Sequence, residues 1–115
     1  MVSIQTNRLK FGKAATITAN YAVGVNDLIL PVNASGGSVT ITLPPANSDA
    51  PISSRILIIK SIAAVGANSI TITPNGSDTI DGAANLVINN SSPALLAVLL
   101  CSDGVSNWMN LLQTS

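Results

Sequence analysis

Six consecutive apolar residues, Leu95-Leu96-Ala97-Val98-Leu99-Leu100, constrain this chain more than any other stretch. An extended chain sends successive side chains to opposite faces, so a strand that is apolar at every position must be hidden on both. The same holds for Arg55-Ile56-Leu57-Ile58-Ile59-Lys60, where a charge at each end brackets four large aliphatics. One small sheet covers only one face of such strands. The chain therefore reads as organised around two doubly covered strands.

The rest of the chain supplies half-buried strands and turns. Ser38-Val39-Thr40-Ile41-Thr42-Leu43 and Ser69-Ile70-Thr71-Ile72-Thr73 alternate aliphatic with hydroxyl side chains, as a strand does with one dry and one wet face. Leu28-Ile29-Leu30-Pro31-Val32 is a strand whose Pro31, lacking an N–H, needs a sheet edge or a strand end. Asn33 to Gly37, Pro44-Pro45, Pro74-Asn75-Gly76, Asp81-Gly82 and Asp103-Gly104 punctuate these strands as turns. Residues 46–54 form a polar loop with room for one short helical turn. Leu86 to Asn89, Leu95 to Cys101 and Trp108 to Leu112 complete seven or eight short strands. No stretch carries a helical period, so the expected fold is all-β, an antiparallel β-sandwich or jelly-roll-like domain over residues 21–115. Residues 1–20 are weakly patterned and are expected to be an extended N-terminal arm.

Composition narrows the chemistry. The chain has 115 residues, one domain's worth, and contains neither histidine nor glutamate. That removes the commonest general base and metal ligand and rules out Ser-His-Asp or Cys-His catalysis. Asp78 and Asp81 could form a carboxylate pair, but beside tight turns they are expected to bond their own backbone. With Asn75 they also lack the spacing of a calcium loop. Gly36-Gly37 joins two strands, not a strand to a helix, and so is no phosphate loop. Trp108 is expected to lid the core, and Cys101, the single cysteine, to act as a buried small hydrophobe. The reading is of a protein that is not an enzyme and holds no cofactor or metal.

A formal net charge of zero argues against a dedicated nucleic-acid or anionic-membrane partner. No apolar run approaches the ~20 residues of a membrane helix, and no signal peptide is visible. The charge is unevenly spread, however. Arg8, Lys10 and Lys13 precede any acid, whereas five aspartates outnumber Arg55 and Lys60 in the remainder. The N-terminus is then either a docking arm, with Arg8, Lys10, Phe11 and Lys13 as its contacts, or a solvated tail.

The doubly apolar strands also predict self-association. If Leu57, Ile59, Leu95 and Leu99 lie on faces that a monomer would expose, covering them is worth ~6 to 12 kcal/mol per subunit at ~1.5 to 3 kcal/mol each. That rivals a domain's whole stability of ~5 to 15 kcal/mol. The alternative is a compact barrel filled on both sides of these strands by its own side chains.

Four blocks in order carry a family resemblance: residues 33–44, Arg55 to Lys60, Ile70 to Ala83 with its Pro74-Asn75-Gly76 and Asp81-Gly82 turns, and Ser102-Asp103-Gly104 with Asn107-Trp108. Over roughly residues 21 to 112 the chain resembles a β-rich module of tailed-bacteriophage structural proteins, found in tail fibres, tailspikes, base plates and head decorations, often as a trimer. The resemblance implies a virion component without catalysis. Without a long shaft or a large head-binding domain, it looks most like a trimeric capsid decoration or cement protein whose arm lies on the major capsid protein. The alternative is a tail fibre or tailspike tip that binds host-surface glycan, for which Trp108, Asn107 and Asp103 are the candidates.

Overall fold

The computed structural model describes residues 12–48, 55–89 and 97–113 and shows nine strands among them. They are β1 (Tyr21–Ala22), β2 (Ile29–Val32), β3 (Val39–Thr42), β4 (Ile56–Ser61), β5 (Ile70–Thr73), β6 (Thr79–Ile80), β7 (Leu86–Ile88), β8 (Ala97–Ser102) and β9 (Asn107–Gln113). Two sheets face one another, one ordered β1-β3-β5-β7 and the other β2-β4-β8-β9-β6. The all-β expectation is met, with no helix among the described residues.

Strand direction differs from the antiparallel expectation. From β1 to β8 the chain alternates between the sheets, and β1, β3 and β5 are mutually parallel, as are β2 and β4. Parallel neighbours need a crossover, and here each crossover is a strand of the opposite sheet. The molecule is therefore wound in flat coils, each adding one strand to each sheet. The antiparallel pairs β4–β8, β8–β9 and β5–β7 finish the winding, and β6 pairs parallel with β9.

The expected boundary at residue 20 also moves. Gly12 O accepts from Leu28 N and Ile29 N, Ala14 N donates to Ile29 O, and Ile17 N donates to Pro31 O. Residues 12–17 thus lie against the outer edge of β2, with Ala14 and Ile17 buried in the core. In β2 the even residues turn their backbone to β4 and the odd ones to this segment. Pro31 therefore spends its missing N–H on the edge side, as its position required. Gly12 is demanded by close approach, because a Cβ there would sit 1.7 Å from Asn26 O.

The core fills the space between the sheets. Leu30, Val32, Leu57, Ile59, Val98, Leu100 and Trp108 point inward from one sheet, and Val39, Ile41, Ile70, Ile72 and Ile88 from the other. Two buried polar side chains are satisfied locally: Ser61 Oγ donates to Ala63 O, and Ser102 Oγ accepts from Arg55 N. Trp108 closes the core as expected, with its Nε1 buried and without a hydrogen-bond partner among the described residues. At Asp81-Gly82 both residues have positive φ, and Ile80 and Ala83 exchange two backbone hydrogen bonds across them. This is the tight turn that an Asp-Gly pair favours.

Candidate partner-binding face

The two sheets present very different outer faces. On the four-stranded sheet, Thr40 stands opposite Thr71 and Thr42 opposite Thr73. These hydroxyls keep that face wet, although Val87 beside Thr71 is 45% exposed.

The five-stranded sheet turns aliphatic side chains outward. Ile29, Ile58 and Leu99 form one row across β2, β4 and β8, and Ile56, Cys101 and Met109 form a second across β4, β8 and β9. Pro31, Lys60 and Ala97 make a third row, bringing the one charged side chain of these three rows to its margin. A register shift between Leu99 and Leu100 leaves Leu111 as the extra residue of β9, and Leu111 is 57% exposed. Ile56 is 45% exposed. Among the described residues, nothing covers this outer side of the apolar strands β4 and β8.

The residues expected at this interface divide accordingly. Leu57 and Ile59 are 0% exposed within one chain, so they belong to the intersheet core and face no partner. Leu99 lies on the outer face, half-buried between Ile58 and the backbone of β9. Leu95 lies outside the described residues. Sequence reasoning missed Ile56 and Ile58, yet Lys60 carried the signal: a lysine belongs outside, and positions 58 and 56 share its face. Cys101 is half-buried on that face and not in the core.

The basic N-terminal residues are only partly placed. Lys13 is exposed at the edge of the sheet with its Nζ donating to Ala14 O at 3.3 Å, and forms a parallel bridge with Ile29. Arg8, Lys10 and Phe11 lie outside the described residues.

The polar candidates are occupied internally. Asp78 Oδ2 accepts from Ala46 N at 2.9 Å and Asp81 Oδ1 from Asn110 N at 3.2 Å, so Asp78 ties its turn to a distant loop and Asp81 ties its turn to β9, instead of bonding their own turns. Asp103 makes the local turn: its Oδ1 accepts from Val105 N, Ser106 N and Asn107 N, which holds its carboxyl below the usual carboxylate range. Asn107 Oδ1 takes Thr79 Oγ1 and Gly82 N. With Trp108 0% exposed, the trio proposed for glycan stacking offers no aromatic surface. No group of three metal-ligating side chains forms among the described residues.

A second polar cluster braces the loop before β2. Tyr21 Oη donates to Asp27 Oδ2 at 2.5 Å, Gly24 N donates to the same oxygen, and Arg55 donates to the carbonyls of Gly24 and Asp27. The hydrogen bond to Asp27 raises the Tyr21 hydroxyl above its ordinary pKa, with burial and the carboxylate charge adding to the effect.

Comparison with protein families gives one match: the model described as Bacteriophage T4 gp9/10-like protein, N-terminal, aligns with residues 7–110. No curated protein and no solved structure matches the chain.

Proposed function

The chain belongs to the Bacteriophage T4 gp9/10-like N-terminal family of phage structural proteins, and from that membership we propose a virion module that assembles with copies of itself through the outer face of its five-stranded sheet. The observation that carries this reading is the pair of registered rows Ile29–Ile58–Leu99 and Ile56–Cys101–Met109.

Magnitudes shape the proposal. Strands ~4.8 Å apart and rows ~6.8 Å apart give these six positions an apolar plane of roughly 200 Å². A standard interface buries about 800 Å² per partner, so this plane serves as the dry centre of a contact with a polar rim. Covering six half-exposed apolar side chains at roughly 1 kcal/mol each yields about 6 kcal/mol. Association costs an estimated ~4 to 15 kcal/mol, so a lone pairwise contact is weak. In the closed trimer of this proposal the three copies of the face meet about one axis and each subunit contacts two others, which doubles the number of contacts per subunit relative to a dimer.

The family's relation to tail fibre and baseplate proteins favours the tail as the site of assembly. The second reading, a capsid cement protein, is favoured by the basic residues Arg8, Lys10 and Lys13, which would meet an acidic surface of the major capsid protein. Immuno-electron microscopy of virions separates the two: label on tails is expected, and label across the head lattice would transfer the assignment to cement.

Self-assembly is tested by sedimentation equilibrium of wild type, Ile58→Lys and Leu99→Lys, with circular dichroism to verify the fold. Wild type is expected to be a trimer and both variants folded monomers. A monomeric wild type, or variants that remain trimeric, would overturn the assignment of this face.

A further inference from the structure

Three times the sequence puts an Asn or Asp directly before a glycine: Asn75-Gly76, Asp81-Gly82 and Asp103-Gly104. Such pairs are chemically labile. A glycine has no Cβ to shield its backbone nitrogen, and that nitrogen lies within reach of the side-chain carbonyl carbon of the residue before it. Whether the two meet depends on how the side chain is held.

Two of the three are clamped. Asp103 Oδ1 accepts from Val105 N, Ser106 N and Asn107 N, and Asp81 Oδ1 accepts from Asn110 N. Several asparagines are fixed in the same way: Asn20, Asn33 and Asn107 accept through Oδ1, and Asn68 donates through Nδ2 to Ala34 O and Ser35 O. Asn75 is engaged differently. Its backbone oxygen accepts from Asp78 N at 2.8 Å in the turn between β5 and β6, while its side chain stands exposed beside the equally exposed Gly76 and Ser77. Gly76 has a φ of +53°, and a Cβ built on it would meet nothing within 4 Å, so this side of the glycine is open.

We propose that Asn75 is a site of spontaneous deamidation, with the Gly76 backbone nitrogen as the nucleophile. The nitrogen gives its proton to hydroxide and bonds Asn75 Cγ. The Cγ–Nδ2 bond then breaks, and Nδ2 leaves as ammonia, taking a proton from water and regenerating the hydroxide. Water opens the resulting succinimide at either carbonyl: attack at Cγ leaves an aspartate, and attack at the backbone carbonyl leaves an isoaspartate. Either product adds one negative charge to a chain of zero formal net charge, three residues before Asp78. The isoaspartate does more. It turns the Asn75 carbonyl, the acceptor for Asp78 N, into a side-chain carboxylate and routes the main chain through Cβ and Cγ. Asp78 is the residue whose Oδ2 holds the N–H of buried Ala46 at 2.9 Å, so the change unties the loop after β3 from the turn after β5. The proposal rests neither on the family nor on the self-association face.

Timed incubation of the folded full chain at mildly alkaline pH tests it on wild type, Asn75→Gln and Gly76→Ala, with peptide mapping by mass spectrometry and isoaspartate scored by enzymatic methylation. Asn75 is expected to convert about tenfold or more faster than Asn68, the clamped asparagine that precedes a serine, and Gly76→Ala to slow it by a similar factor. In aged wild type the amides of Ala46 and Asp78 should exchange faster than in fresh protein, and in Asn75→Gln ageing should leave them unchanged. Conversion of Asn75 no faster than that of Asn68, or an undiminished rate in Gly76→Ala, would overturn the proposal. Conversion in the urea-unfolded chain that is absent from the folded one would also overturn it, by showing that the turn protects the pair.

Discussion

Replacing Gly12 with alanine is the sharpest test of whether residues 12–17 belong to the sheet. The added Cβ would lie 1.7 Å from Asn26 O and 2.8 Å from its carbonyl carbon, both rigid backbone atoms. Relief needs a shift of roughly 1.5 Å to restore ordinary contact, and such a shift breaks the 2.8 and 3.0 Å bonds from Leu28 N and Ile29 N to Gly12 O. Losing the whole segment would also forfeit the bonds of Ala14 N, Ile17 N and Ile17 O, and the burial of Ile17. Five bonds at ~0.5 to 1.5 kcal/mol and one isoleucine at ~1.5 to 3 give about 4 to 10 kcal/mol. Ordering the segment opposes this gain with a term of similar size, so the segment is far less firmly held than the body of the sandwich. Peeling it off limits the damage, and Gly12→Ala should destabilise by about 1 to 3 kcal/mol without unfolding the body. Urea denaturation measures that loss. Faster hydrogen exchange at Leu28, Ile29 and Asn33, whose amides donate to this segment, locates it. Gly36→Ala, where an added Cβ meets nothing within 4 Å, is the control. A cost below about 0.5 kcal/mol with those three amides still protected would refute the reasoning.

Two titrations follow from the polar clusters. Tyr21 is the single tyrosine, so ultraviolet absorbance should show tyrosinate forming at higher pH in the folded protein than in the urea-unfolded chain, and Asp27→Asn should remove most of the difference. Because its folded pKa is raised, the stability it contributes is full below the unfolded pKa and is lost as pH rises through the folded one; equal titration of the two states would contradict this. Asp103 behaves oppositely. Its lowered folded pKa contributes stability above the unfolded value that disappears as pH falls through the folded one, so the melting temperatures of wild type and Asp103→Asn should differ at neutral pH and converge in acid.

The strands themselves were legible because their alternation is a local property. Val39-Thr40-Ile41-Thr42 and Ile70-Thr71-Ile72-Thr73 announce both the strand and its dry face, Pro31 announces an edge, and Asp81-Gly82 announces a tight turn. Partners were not legible, because period-two patterning fixes which face is buried and says nothing of direction, so a sandwich expected to be antiparallel contains parallel coils. In the uniformly apolar runs even the face was hidden: Leu57 and Ile58 look alike, and only Lys60 sets the parity. The weak pattern of residues 12–20 has a similar origin. Their attachment is made by backbone groups and by Gly12, with only Ala14 and Ile17 reaching the core. Asp78 and Asp81 looked like local turn formers because their acceptors' true partners, Ala46 and Asn110, are about thirty residues distant.

The winding has a kinetic consequence. Coil-to-coil pairings span 20 residues at Tyr21–Ile41, 29 at Ile29–Ile58 and 31 at Val39–Ile70, whereas Ser102 and Trp108 in the β8–β9 hairpin are six apart. Loop closure favours the hairpin first, and β4 can add to it only by closing a loop of about 40 residues. By the same measure the coil pairings of 20 to 31 residues close before the β4–β8 junction, which joins the coils to the hairpin last. The many long pairings place folding on the slow, millisecond-to-second side of single-domain rates. During synthesis the coils from β1 to β5 hold all of their mutual pairing partners before β8 emerges, so that part of the sandwich can close while the outer edge of β4 still waits for β8.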